Sequence, residues 1–175
     1  MGKDEISLLK IVEETTVDGP GFRISIYAAG CDKRCPGCHN PHSWDIRNGR
    51  PSTVEEVMKV VVAAEFCNVT FSGGDPFFQV ESFTKLAKRI KEETNKSIWC
   101  YTGYTFEYIL SSSRHAALLP YIDVLVDGPF VEILRNETIP FRGSSNQRLI
   151  DVPASLEKGE AIPYKLYIVQ AEEMA

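Results

Sequence analysis

The sequence predicts an α/β fold, an incomplete parallel βα barrel left open on one side. Strand-like and helix-like segments alternate along the chain, which is the pattern of βαβ units and a parallel sheet. Each conspicuous turn cluster follows a strand-like run, where the functional loops of such sheets lie. The 175 residues are too few for a closed eight-fold barrel, which takes about 250.

The elements follow in order. Phe22 to Ala29 is an apolar run that reads as the first strand. Ser52-Thr53-Val54-Glu55 reads as a capping box with Ser52 as the cap and Glu55 as its acid. It opens a helix whose Val54, Val57, Met58, Val61 and Val62 make one apolar stripe. Val69 to Phe71 is the second strand, and Phe83, Leu86, Ala87 and Ile90 make a second helical stripe. Ile98 to Tyr101 is the third strand, Thr105 to Leu110 begins a shorter helix, and Val124 to Val126 is the fourth strand. Leu149-Ile150 and Tyr164 to Val169 are later strand candidates. The strand ends carry the cysteine loop, Ser72-Gly73-Gly74-Asp75-Pro76, Thr102-Gly103-Tyr104 and Asp127-Gly128-Pro129, all expected on one edge of the sheet.

Composition limits the function classes. Apolar residues make up 43% and charged residues 25%, with 19 Lys and Arg against 24 Asp and Glu. That is an ordinary soluble balance. No basic block suggests a nucleic acid partner. The first residues carry no secretory signal, no run is long enough to span a bilayer, and position 6 lacks the Ser or Thr of a myristoylation signal. No membrane association is expected. Five cysteines, at 31, 35, 38, 67 and 100, are an odd number and suit reduced thiols in the cytoplasm. Cys67 and Cys100 read as small buried residues, and Trp44 and Trp99 as packing.

The chemistry concentrates in Cys31-Asp32-Lys33-Arg34-Cys35-Pro36-Gly37-Cys38. Its eight residues reach at most roughly 28 Å when extended, enough to curl around a metal centre. Three thiolates on a four-iron cluster leave one iron open for a ligand that reacts. A zinc site completed by His39 or His42 is the alternative, although zinc sites usually use Cys-x2-Cys pairs. Downstream, Gly73-Gly74 lets backbone approach a ligand closely. In isolation, Gly-Gly-Asp-Pro is simply a turn.

The cysteine loop resembles the signature of the radical S-adenosylmethionine (SAM) superfamily. That resemblance implies a partial βα barrel and a [4Fe-4S] cluster on Cys31, Cys35 and Cys38, with SAM chelated at the open iron. One electron would cleave SAM to methionine and a 5′-deoxyadenosyl radical, which abstracts hydrogen. Gly37, where the family has an aromatic residue, would meet the adenine through backbone, beside Cys38 and His39. Gly73, Gly74 and Asp75 are similar to the family's Gly-Gly-Glu element, which binds the SAM amino group, with an acid one methylene shorter. Val17-Asp18-Gly19-Pro20-Gly21-Phe22-Arg23, Tyr101-Thr102-Gly103-Tyr104, Asp127-Gly128-Pro129-Phe130 and the 141–148 segment narrow the likeness to activases of glycyl radical enzymes. The branch they most resemble is that acting on anaerobic (class III) ribonucleotide reductase. This implies a single domain over 1–175, with a core at about 8–152 and an extension at 153–175. It also implies the reductase large subunit as protein substrate and a flavodoxin- or ferredoxin-type electron donor. Thr102, Tyr104, Asp127 and Asn146 are candidates to line the site, and Arg142 and Arg148 to grip a partner. Turn chemistry and solvation account for them equally well.

Overall fold

A computed structural model describes residues 4–166 of the chain. Seven strands form one open sheet: β1 Glu5–Thr15, β2 Arg23–Ala28, β3 Arg50–Thr53, β4 Asn68–Gly73, β5 Ile98–Tyr101, β6 Val124–Asp127 and β7 Arg148–Asp151. Their order across the sheet is β3-β1-β2-β4-β5-β6-β7. The central four, β2, β4, β5 and β6, are parallel. The flanking β1, β3 and β7 run antiparallel to their neighbours, so the sheet is mixed rather than wholly parallel. Five helices accompany it: α1 Val54–Ala63, α2 Val80–Glu93, α3 Phe106–Ser111, α4 Ser113–Ala116 and α5 Val152–Lys158.

The period-two alternation of strands sorts side chains between two faces. Ile24, Ile26, Val69, Phe71, Ile98, Cys100, Leu125 and Ile150 share one buried cluster with α1 and α2, which supply Val57, Met58, Val61, Phe83, Leu86, Ala87 and Ile90. The other face carries a second cluster of Trp99, Val124, Val126 and Leu149, with Tyr101, Phe141 and Tyr164 packed on it. Buried Arg23 also serves that face. Its guanidinium donates to the Thr70 hydroxyl at 2.6 Å and the Val69 carbonyl at 2.5 Å, and lies over the Trp99 ring. Burial lowers its pKa to about 10, which leaves it charged.

Three sequence expectations are revised. Helix α1 is capped by Thr53 with Glu56, not by Ser52 with Glu55, because Thr53 is the last residue of β3 and directly precedes Val54, whereas Ser52 lies one residue back inside the strand, opposite Ile6. Val62 of the expected stripe is half exposed, since α1 turns it past the edge of the core. Of Tyr164 to Val169, residues 164–166 form no strand, although Tyr164 donates its N–H to the Leu149 carbonyl at 2.8 Å. The remaining three lie outside the described residues. Strands β1 and β3 and helices α4 and α5 lie outside the elements read from the sequence.

Candidate metal and cofactor site

The four loops that follow the parallel strands face one cavity of about 320 Å³. Cys31, Cys35, Cys38 and His39 line it from the loop after β2, and Gly73, Gly74 and Asp75 from the loop after β4. Thr102 and Gly103 come from the loop after β5, and Gly128 and Phe130 from the loop after β6. Among the described residues, no helix is long and apolar enough to cross a membrane.

The cysteine loop is held by its own backbone. Gly30, at φ +93°, lets the chain leave β2 sharply. The Gly30 and Cys31 N–H groups donate to the Ser43 and Trp44 carbonyls at 2.7 and 3.1 Å. Cys38 N–H donates to the Cys35 carbonyl at 3.1 Å, closing a turn through Pro36 and Gly37. All three thiols are free of disulfides and half-buried. Burial raises the Cys31 thiol to about 11, while the N–H groups of Lys33 and Arg34, donating to its sulfur, pull the other way. Asn40 N–H approaches the Cys38 sulfur at 3.4 Å. Backbone donors aimed at sulfur stabilise thiolate ligands.

The glycine pair is demanded by contact with the end of β2 and the start of this loop. A Cβ on Gly74 would stand 2.4 Å from the Gly30 carbonyl oxygen, and one on Gly73 2.5 Å from the Ala28 nitrogen. Gly74 N–H donates to the Ala28 carbonyl at 2.8 Å, and Asp75 N–H to the Gly30 carbonyl at 2.9 Å. The two motifs are therefore packed backbone against backbone at the root of the cysteine loop.

Asp75 is buried and heavily engaged. Its carboxylate accepts from the Thr102 hydroxyl, Gly103 N–H and Phe77 N–H, each at 3.0 Å. Burial raises its pKa to about 6 against the pull of those donors. On the cavity floor the Tyr27 hydroxyl donates to Asp18. Burial holds both Tyr27 and Tyr101 above the ordinary phenol range, so they remain neutral.

The cavity thus unites seven of the eight expected site residues. Gly37 stands outside it, exposed, with the Glu132 side chain 2.7 Å from where a Cβ would lie. His39 is at the rim, its ring 5.2 Å from that of Phe130. His42 does not line the cavity. Among the described residues, no three His, Cys, Asp or Glu side chains are grouped as ligands of a single ion. A cluster offers a separate iron to each thiolate, and its ligands stand around a volume. The thiols, the N–H donors and the glycine-walled space fit that donor set.

Several side chains weighed from sequence turn out to be internal ties. Arg148 grips Asp127 at 2.5 Å and Glu107 at 2.8 Å. Asn146 donates to the Pro129 carbonyl at 2.8 Å, and the Arg142 guanidinium makes only long contacts, 3.4–3.5 Å, to the Pro140 and Gln147 carbonyls. Tyr27, Lys33, Tyr101 and Gln147 line the cavity without having been singled out. Their signal was only that they stand at strand ends or inside recognised motifs.

Comparison with known proteins agrees with this geometry. Residues 17–150 match the family model of the 4Fe-4S single cluster domain. The chain is similar to the anaerobic ribonucleoside-triphosphate reductase-activating protein of Vibrio cholerae, 37% identical over 75% of this chain and 88% of the relative. The protein of that name from Escherichia coli is 34% identical over 75% and 89%, and that of Enterobacteria phage T4 is 35% identical over 76% and 86%. With cysteine loop and glycine pair sharing one cavity inside the matched span, the chain belongs to the 4Fe-4S single cluster domain family, in the group of anaerobic ribonucleoside-triphosphate reductase-activating proteins.

Proposed function

We propose that this chain is a radical SAM activase that installs a glycyl radical on the large subunit of anaerobic ribonucleotide reductase. One observation carries the reading: the three-cysteine loop and the Gly73-Gly74-Asp75 loop pack on each other and line one cavity. Relatives named as activating proteins of that reductase support the choice of target.

In this reading Cys31, Cys35 and Cys38 hold a [4Fe-4S] cluster. Gly73 and Gly74 would hold SAM, with Cys38 and His39 toward its adenine and Gly37 shaping the turn between the cysteines from outside the cavity. Together cluster and SAM would supply a primary carbon radical: one electron from the reduced cluster would break a carbon–sulfur bond of SAM, leaving methionine and a radical that can take the Cα hydrogen of a glycine. The chain's own work is positioning. Backbone donors to Cys31 and Cys38 offset the charge of their thiolates. The glycine pair leaves room beside the open iron. Asp75 acts at the amino end of SAM, its anionic form favoured above about pH 6. The seven-stranded open sheet serves as a partial barrel of the radical SAM type. One domain spans the chain, with its core at about 8–152 and an extension at 153–175. The open side admits a partner's loop, a flavodoxin- or ferredoxin-type protein delivers the electron, and the setting is the cytoplasm.

The test is to reconstitute the chain anaerobically with iron and sulfide, reduce it, and add SAM and the reductase large subunit. A glycyl radical signal in electron paramagnetic resonance, dependent on SAM, is expected. Its absence from a cluster-loaded preparation overturns the assignment.

A further inference from the structure

The segment between the first two cysteines is gripped from outside the loop. Lys33 Nζ sits 3.3 Å from the centre of the Tyr104 ring and 5.8 Å from that of Tyr108. The two rings stack at 4.9 Å, nearly parallel. On the same segment, the Tyr104 hydroxyl donates to the Asp32 carboxylate at 2.6 Å. Two adjacent loop residues of opposite charge thus engage one aromatic side chain, one at its face and one at its tip. Cation–π contacts and charge-assisted hydrogen bonds strengthen as water is excluded, and the Lys33 side chain is only 26% exposed. Gly103 is part of the same fit, since a Cβ there would stand 2.6 Å from Lys33 Cγ.

The grip continues into the second motif. Tyr104 N–H donates to the Thr102 hydroxyl at 3.1 Å, and that hydroxyl donates to the buried Asp75 carboxylate. A continuous path of contacts therefore runs from the Gly73-Gly74-Asp75 loop through the turn after β5 to Asp32 and Lys33. We propose that Tyr104 and Lys33 form a clasp that fixes the Cys31–Cys35 segment, making Tyr104 a positioning residue for the cluster ligands. The clasp restrains the loop through contacts that need no cluster, so less ordering is left for cluster binding. The role given to the loop rests on the cluster reading above, whereas the clasp itself does not.

Hydrogen exchange of the unloaded chain tests the clasp directly. Tyr104→Leu and Lys33→Met should speed amide exchange across 31–38 by about tenfold, with the core strands unchanged. Tyr104→Phe, which keeps the ring, should fall between, and Lys33→Arg should restore protection. In loaded protein, Tyr104→Leu and Lys33→Met should release iron to a chelator several-fold faster and broaden the reduced cluster's paramagnetic signal. Should Tyr104→Leu fail to fold, Lys33→Met decides alone. Unchanged exchange and unchanged iron release in Lys33→Met overturn the clasp. A wild-type chain that takes up no iron overturns the cluster reading, and the exchange measurement still judges the clasp.

Discussion

Gly74 and Asp75 are adjacent residues governed by different physics. Gly74 is fixed by space: a methyl group would meet the Gly30 carbonyl at 2.4 Å, backbone against backbone with nothing flexible to yield. Gly74→Ala should therefore cost about 1–3 kcal/mol in urea unfolding. Gly21→Ala meets nothing within 4 Å and carries only the strain of φ +71°, so its cost should be about 1 kcal/mol. Equal costs would refute the close-approach account. Asp75 is fixed by charge. Its folded pKa of about 6 lies above the ordinary 3.8, so the folded chain holds the proton more tightly than the unfolded chain. Stability from this group is then lost as pH rises through that window and levels off above it. Relative to Asp75→Asn, the wild type should lose on the order of 3 kcal/mol between about pH 4 and pH 7. A flat difference across that range in urea titrations would exclude the buried-carboxylate account.

Among the elements, the start of α1 shows how sequence can be ambiguous by one residue. Ser52-Thr53-Val54-Glu55 and Thr53-Val54-Glu55-Glu56 both satisfy the capping-box pattern. The second is realised, with Thr53 N–H donating to Glu56 at 2.7 Å, because β3 runs through Thr53 and the helix starts only at Val54, which leaves Ser52 inside the strand. Thr53→Ala should cost about 1 kcal/mol and Ser52→Ala a few tenths, read from unfolding midpoints. The central strands and α2 were legible because their side chains obey a single period: Phe83, Leu86, Ala87 and Ile90 are all fully buried. Strand β1 was not, since register shifts between Leu8 and Lys10 and between Val12 and Thr15 break its alternation. Strand β3, Arg-Pro-Ser-Thr, has no apolar residue and is defined only by its backbone pairing at the sheet edge. Motif residues were legible in the site because special backbone needs special residues. Tyr27 and Tyr101 were missed because a tyrosine at a strand end reads equally well as packing.

In the whole molecule, stability and chemistry occupy different regions. The main core lies between the sheet and α1 and α2, while the cysteine loop stands at the strand ends with its thiols half-buried. Cys35→Ala should accordingly abolish iron and sulfide incorporation and leave the thermal midpoint of the unloaded chain within about 2 °C. A variant that melts much earlier would show that the loop also supports the fold. The cavity has a further consequence, because its walls are contributed from widely separated parts of the chain, from Asp18 to Gln147. During synthesis the three thiols emerge long before Gly128, Phe130, Gly143 and Gln147 exist to enclose them. A chain that has not yet reached Gln147 offers an unsheltered thiol loop, and one that includes it offers a chamber. The thiol loop is therefore most open to oxidation in the interval before those walls stand around it.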